Sequence, residues 1–598
     1  MIRKDPKTFK DGSVKTQIRV VEGYRPGPGL PPKQRTIRDF GYLEDQSDRE
    51  AFMETVRAFN ASFKIDATLR IEVPSNAKMY CEQNRKQNYG YKFLEAIYDS
   101  LAIDEFIAHY ERTSKFKGTY PIEDIFKFLV LMRVLSPDSK RSSCQMKDNF
   151  YGMETDFSLK ELYRSLDHFA NFELELQRHL NESVKRTIGR DLSHAFYDVT
   201  NYFFEIDFPD EDGSLRKRGV SKEHRVDPIV GMGLFIDSKG LPVGMSIFPG
   251  NTSESLTLRP IMSEIKESYG LGKVVVVADK GLNSSKNIEE IVNNGDGYVI
   301  SQQLRGNKGR RYREALFDDT GYVWAKDGSY KHKLFKEEFS VQNKEGVTEL
   351  KKRMVLIYWD KDDAAMAKGR RDEKLKKAER SVKNNVYGIK KGVDEYTRDE
   401  IRDKATGAVL TNAKKVRSVD LAKAENDAMY DGYFCIITSE LEYGEREIRS
   451  AYGGLWRIEQ SFRILKSDLY ARPVFVSKGE HIRAHFLICF TALLIVRILQ
   501  HLMGAKALSA ERIARTLNAA TCRVLKGGIM HLDDVGGSIA FQKTLDKKGR
   551  VVDTLAYSDE DEMALDYKTI QDTFGTDFYD IYPRQEQFNR FLKNLRIA

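Results

Sequence analysis

The hydrophobic pattern of this 598-residue chain changes period several times. Within residues 1–70, TQIRVVEGY and RTIRDFGYL are short alternating or β-branched runs joined by PGPGLPPK, so a small sheet with a loop is predicted. From about 85 to 190 the period is helical. Tyr91, Leu94, Ile97, Tyr98 and Leu101 share the three/four spacing of one amphipathic helix face. Pro121 suits the first turn of an apolar helix over 122–135 that stops before Pro137. Ser158 and Glu161 have capping-box spacing ahead of another helix. With the basic connector DSKRSSCQMK between them, these helices suit either a DNA-end-binding module or a plain bundle with a solvated face.

Two strand-like segments follow. Residues 195–204, AFYDVTNYFF, are aromatic and β-branched, and 273–279, KVVVVAD, are continuously apolar, as in a strand buried on both faces. Between them IVGMGLFIDSKGLPVGMSIFPGN reads as a hairpin turning at Ser238-Lys-Gly240, followed by a helix over 257–269. Strand, hairpin, helix, strand is a compact α/β arrangement. From 305 to 440 the composition shifts to basic, Gly-containing and strand-forming segments. Within it, the charged stretch 361–391 reads as a solvated helix or a DNA-tracking surface. Residues 446–468 are amphipathic and helical, and a loop at Arg472-Pro473 precedes a long apolar helix from about 480 to 503. Its most apolar run, 486–496, is too short to span a bilayer and reads as buried. The tail holds one clear helix, 509–517.

Length alone implies roughly three to five domains. The net charge of +8 permits a polyanionic partner without requiring one. Five scattered cysteines without CxxC spacing suit reduced thiols. The first residues, MIRKDPKTFKDG, have no apolar stretch suited to a signal peptide. A soluble cytoplasmic protein that does not meet the membrane is the expectation. No GxxxxGK[ST] loop is present, which disfavours a nucleotide-driven enzyme.

The candidate chemistry is carboxylate. Asp198 interrupts an apolar strand, and Asp279 ends a run of four valines and an alanine. Carboxylates so placed are costly to desolvate unless compensated, and a divalent cation is the usual remedy. Tyr452, Leu455, Glu459, Phe462 and Lys466 follow in steps of three and four, which predicts one continuous helix face with Glu459 directed at the same site. His481 and His485 have helical metal-ligand spacing but lack a third ligand nearby. His224 and Asp227 read better as loop caps than as site residues.

Tyr452, Glu459 and Lys466 stand at the spacing of the Tyr-Arg-Glu-Lys signature of insertion-sequence transposases with a DDE catalytic domain. Asp198-Val-Thr-Asn, Gly250-Asn-Thr252, Ala278-Asp-Lys-Gly281, IEQSFRILK and Arg472-Pro-Val-Phe-Val476 also resemble that family. The resemblance spans about 190–305 and 440–500, and more weakly 1–180. It departs at the signature arginine, whose place is taken by Leu455. Arg457 lies about 200° further round the helix, and Arg463 is the candidate replacement.

The resemblance implies a ribonuclease H-like mixed sheet flanked by helices and interrupted by a β-rich insertion domain, behind an N-terminal small sheet and helical domain. The implied division is 1–70, 71–190 (end binding), 191–304 and 441–503 (catalytic), 305–440 (insertion) and 504–598 (DNA binding or dimerisation). It implies Asp198, Asp279 and Glu459 as ligands of two Mg²⁺ ions, with Mn²⁺ able to substitute. Tyr452, Lys466 and Arg463 would contact DNA phosphate, and Trp324 or Trp359 would stack on a flipped base or serve in packing. The implied partners are double-stranded DNA, at terminal inverted repeats and at the target, and a second copy of the chain on paired ends. The implied activity is cut-and-paste transposition in the nucleoid.

Overall fold

The computed structural model describes residues 2–9, 12–24, 33–62, 85–114, 118–208, 214–222, 226–269, 272–383, 397–401, 415–525, 527–535, 540–545, 551–556 and 562–597. Most of the PGPGLPPK loop, residues 384–391 of the charged stretch, and His224 lie outside them. The chain divides into two compact units: residues 1–96, 145–154 and 502–598 form one, and 97–144 with 155–501 form the other.

In the first unit, β1 (Ile2–Thr8), β2 (Val14–Tyr24) and β3 (Lys33–Tyr42) make an antiparallel sheet in that order. Ile18 and Val20 point from it onto Val56 of the helix Arg49–Ser62, and these three form its buried core. The short β4 (Gln87–Asn88) pairs with Thr521–Leu525, far along the chain. The Asn88 amide donates to the Leu517 carbonyl at 2.7 Å, and the Tyr89 and Tyr567 hydroxyls meet at 3.0 Å. A side chain at Gly90 would strike the Leu517 carbonyl oxygen at 2.1 Å, so glycine is required by the close approach. Residues 504–598, expected to stand apart, therefore fold together with the N-terminal region.

The second unit is built on a nine-stranded sheet. Its strands are β5 (His194–Phe203), β6 (Ile229–Ile236), β7 (Pro242–Pro249), β8 (Val275–Ala278), β9 (Gly297–Ser301), β10 (Val323–Trp324), β11 (Tyr330–Gln342), β12 (Thr348–Asp360) and β15 (Tyr433–Thr438). The short pair β13 (Thr397–Ile401) and β14 (Lys415–Val419) is separate. The order across the sheet is β10-β11-β12-β15-β9-β8-β5-β6-β7. Within it, β7-β6-β5-β8-β9 has the strand order 3-2-1-4-5, with β6 antiparallel to β5 and β7, β8 parallel to β5, and β9 parallel to β8 but antiparallel to β15. That is the ribonuclease H-like arrangement that the family resemblance implies.

The parallel strands need crossovers, which are supplied by the helices Leu258–Tyr269 and Ser285–Asn293. These pack on one face, where Tyr197, Val199, Val276, Ala278 and Ile300 form a core with Leu258, Ile261, Ile288 and Ile291. The alternate residues of β5 face the other side: Tyr202 meets Phe486 of the helix Gly479–Met503. That helix is long and apolar enough to cross a membrane by length and composition, yet 83% of its most apolar window is buried inside the protein. Helices on both faces explain why β8 reads as an unbroken apolar run.

The β-rich stretch expected within 305–440 is present, but its long strands are built onto the same sheet. β12 pairs with β15 from Met354↔Thr438 to Trp359↔Tyr433, and β15 pairs with β9. The helix Lys361–Lys383 is mostly solvated, and Ala378 is tucked against Ala424. The helices Ile103–Thr113, Ile122–Leu135, Leu159–Asn171 and Glu173–Thr187 belong to this second unit rather than to a module of their own. The capping box at Ser158 and Glu161 forms as predicted. The Gln177 side-chain carbonyl accepts from the Met245 N–H, tying the last of these helices to β7.

Candidate active site

β5 and β8 run parallel with His194↔Val275, Ala195↔Val276 and Phe196↔Val277 in register. Continued two residues, the same register sets Asp198 beside Asp279. Parallel neighbours at one level share a face and lie about 4.8 Å apart. The two carboxylates therefore converge on the face opposite the Tyr197 and Val199 side chains. Asp198 lies among apolar strands, and burial pushes its carboxyl up to about 6. Lys222 and the Val199 N–H, 2.7 Å from Oδ1, pull it back, while Glu254 and Asp279 push it further up. Asp279 is exposed at the strand end, where its Oδ1 accepts from the Ser301 hydroxyl at 2.8 Å and the Tyr452 hydroxyl at 3.1 Å. Burial holds the Tyr452 phenol well above its ordinary range, so it remains a donor.

Lys466 reaches the same strand and donates to Thr200 Oγ1 at 2.6 Å. Burial draws its ammonium down to about 8, the nearby Lys222 lowers it further, and Asp198 opposes both. Tyr452 and Lys466 are thus brought to the two aspartates, each by a direct bond to the strands that carry them.

The segment between them is not the single continuous helix predicted. The helix Glu445–Gly453 stops, a tight turn passes Gly454 and Leu455, and a second helix, Trp456–Arg463, opens into a π-helical turn over Ile464–Asp468. Two glycines in a row weaken the helix. Packing explains the second of them: a Cβ on Gly454 would lie 2.3 Å from Cζ of Phe196 on β5. Glu459 stands on the first turn of the second helix, exposed, with Ile458 and Phe462 buried beside it. Among the described residues, no three metal-ligating side chains surround a common point. The β5–β8 register sets Asp198 and Asp279 side by side, and Glu459 stands on the helix that follows Gly454 and Leu455.

Two residues that the sequence did not single out do reach the aspartates. Lys222 Nζ lies 3.8 Å from Asp198 Oδ1 and 3.2 Å from Glu254 Oε1, and donates to the Val199 carbonyl. Glu254 Oε2 is 3.0 Å from where a Gly281 Cβ would sit, so it packs against the loop after Asp279. Glu254 follows the quoted Gly250-Asn-Thr252 by two residues, and that motif was its only signal. The oxygen-only donor set fits a hard divalent cation, and an ammonium already stands between Asp198 and Glu254.

The remaining candidates lie elsewhere. Arg463 ends the helix Trp456–Arg463 and is exposed, and its charge helps to lower the buried Arg497 guanidinium. Trp359 shares its side of β12 with the buried Val355 and Ile357, the face opposite Asp198, and its Nε1 donates to the Asp431 carbonyl at 3.1 Å. Trp324 sits on the edge strand β10, its ring 6.4 Å from that of Trp359. Five strand steps, roughly 24 Å, separate β10 from β8. His481 bonds Asp167 at 3.1 Å, and the buried His485 accepts from Lys140 at 2.7 Å.

Residues 228–495 match the family described as transposase DDE domain, and residues 2–65 match the IS1634 family transposase N-terminal domain. Together these matches span more than half of the chain. The first takes in Asp279 and Glu459 and begins after Asp198. No curated protein matches the chain. Among solved structures, a piggyBac transposase synaptic complex with hairpin DNA is 12% identical at a TM-score of 0.31, covering 72% of this chain and 78% of that one. A Mos1 transposase paired-end complex with left transposon end is 12% identical at 0.14, covering 43% and 68%.

Proposed function

The chain is an insertion-sequence transposase of the DDE type, and from that premise we propose that it moves its element by cut-and-paste, cleaving DNA at paired ends as a homodimer. The observation that carries this reading is the convergence of Asp198, Asp279, Tyr452 and Lys466 where the middle of β5 adjoins the end of β8. Asp198 and Asp279 would hold two Mg²⁺ or Mn²⁺ ions, with Glu459 as the third carboxylate. Such ions supply activation of water and charge stabilisation at the departing 3′ oxygen.

The other roles fall to the chain's own groups. Tyr452, kept protonated by burial, donates its one hydroxyl proton to Asp279 and so orients that carboxylate. Lys466 contributes a positive charge beside Asp198, where the scissile phosphate would lie. The 3′-OH freed by the first cut would then attack the opposite strand to form a hairpin, and later the target, at the same site. The substrate is chromosomal DNA in the cytoplasm.

The test is incubation with labelled terminal-repeat DNA and Mg²⁺. Integration products support the proposal, nicks alone reduce it to a non-integrating nuclease, and a shifted but uncut band reduces it to a silent DNA-binding repressor. Asp198→Ala, Asp279→Ala and Glu459→Ala are each expected to abolish cleavage while end binding persists. Wild-type cleavage by any one of them would strike that residue from the site.

A further inference from the structure

Lys222 and Lys466 flank Asp198 and rest on consecutive residues of β5, the first on the Val199 carbonyl and the second on Thr200 Oγ1. Val199 and Thr200 are adjacent on β5, so the two ammonium groups are held on neighbouring residues, and the Lys222 charge is among the causes that lower the Lys466 ammonium. Two ammonium groups set this close repel one another and are stable together only beside negative charge. Part of that charge comes from Asp198 and Glu254, which Lys222 approaches at 3.8 and 3.2 Å.

We propose that Lys222 is a phosphate-binding residue of the cleavage site, forming with Lys466 a two-lysine clamp on the DNA strand to be cut. The proposal rests on the DNA-cleaving function above and assigns the grip left open by Leu455. Lys222 is half-exposed, so its Nζ can leave the carboxylates without unpacking the core. When Asp198 engages a divalent cation, the Lys222 ammonium loses its attraction to that carboxylate and turns to the phosphodiester brought alongside. Lysine suits this role because its ammonium is a compact point charge with three donors and no fixed plane to satisfy. Glu254 remains as the tether: it keeps Lys222 over Asp198 when DNA is absent and packs against the loop at Gly281. It is a positioning residue.

The experiment is duplex binding by fluorescence anisotropy across a salt series, with Ca²⁺ as the probe cation, for wild type, Lys222→Ala and Lys222→Arg. Each phosphate neutralised contributes about 0.9 to the log–log salt slope. Lys222→Ala is expected to lower that slope by about 0.9 and to weaken binding by about tenfold. Lys222→Arg, which keeps the charge, is expected to restore the slope. If wild type binds DNA and Lys222→Ala keeps the full slope, the clamp is wrong and the transposase reading stands. If wild type binds no duplex at all, both fall together. Circular dichroism of each variant separates a lost contact from a lost fold.

Discussion

Asp198 shows at the scale of one residue how the fold pays for its chemistry. Its carboxyl is raised from the ordinary 3.8 to about 6 by burial, so the folded chain holds the Asp198 proton more tightly than the unfolded chain does. Stability therefore falls as pH rises from about 4 through 6. Asp198→Asn is expected to raise stability in EDTA at pH 8 by about 1–3 kcal/mol. That advantage should vanish near pH 4, where wild-type Asp198 is already protonated. Added Mg²⁺ should stabilise wild type but not the variant. Thermal melts at the two pH values check all three statements, and a destabilised variant at pH 8 would contradict them. Tyr452→Phe removes the donor to Asp279 Oδ1. It is expected to slow cleavage by about tenfold, the worth of one such bond, with DNA affinity unchanged in a binding titration. Both aspartates stood out in the sequence because each breaks an apolar run. Lys222 and Glu254 did not, because an exposed Lys in a polar loop and a Glu two residues past a Gly-Asn-Thr turn look like ordinary surface.

At the scale of elements, the informative departure is the break at Gly453–Leu455. Three/four spacing from Tyr452 to Lys466 predicted one helix, since periodicity cannot register a tight turn that nearly preserves the face. At the break a tertiary contact restricts the residue: a Cβ on Gly454 would strike the Phe196 ring. Gly454→Ala is expected to cost about 1–3 kcal/mol by overpacking and to displace the helix that carries Glu459. A second change, Phe196→Leu, should recover part of the loss, and a double-mutant cycle in denaturant would measure the coupling. Additive effects would place the strain elsewhere. By contrast, the hairpin β6–β7, the helix Ile122–Leu135 and the Ser158 cap came out where the sequence put them, because each is set by local turn or capping chemistry.

For the whole molecule, the first unit is assembled from the two ends of the chain. Phe93 packs edge-on against Phe574 at 5.3 Å, and Tyr89 against Phe588 at 5.1 Å. Truncation after residue 503 would strip these aromatics of their partners. The shortened chain is expected to aggregate or to expose protease sites within residues 1–96, which limited proteolysis with mass spectrometry would locate. A truncated protein as resistant as the full chain would refute this co-folding.

The sequence by itself determined the strand-rich and helical stretches, the α/β class and the two aspartates. These are written in period, caps and the cost of a carboxylate within an apolar strand, all of which are local. Only the tertiary structure decided which strands are neighbours, that the strands from 323 to 360 extend the catalytic sheet, and that Lys222 and Glu254 join Asp198. Those facts depend on contacts between residues tens to hundreds of positions apart, and no local pattern encodes their pairing.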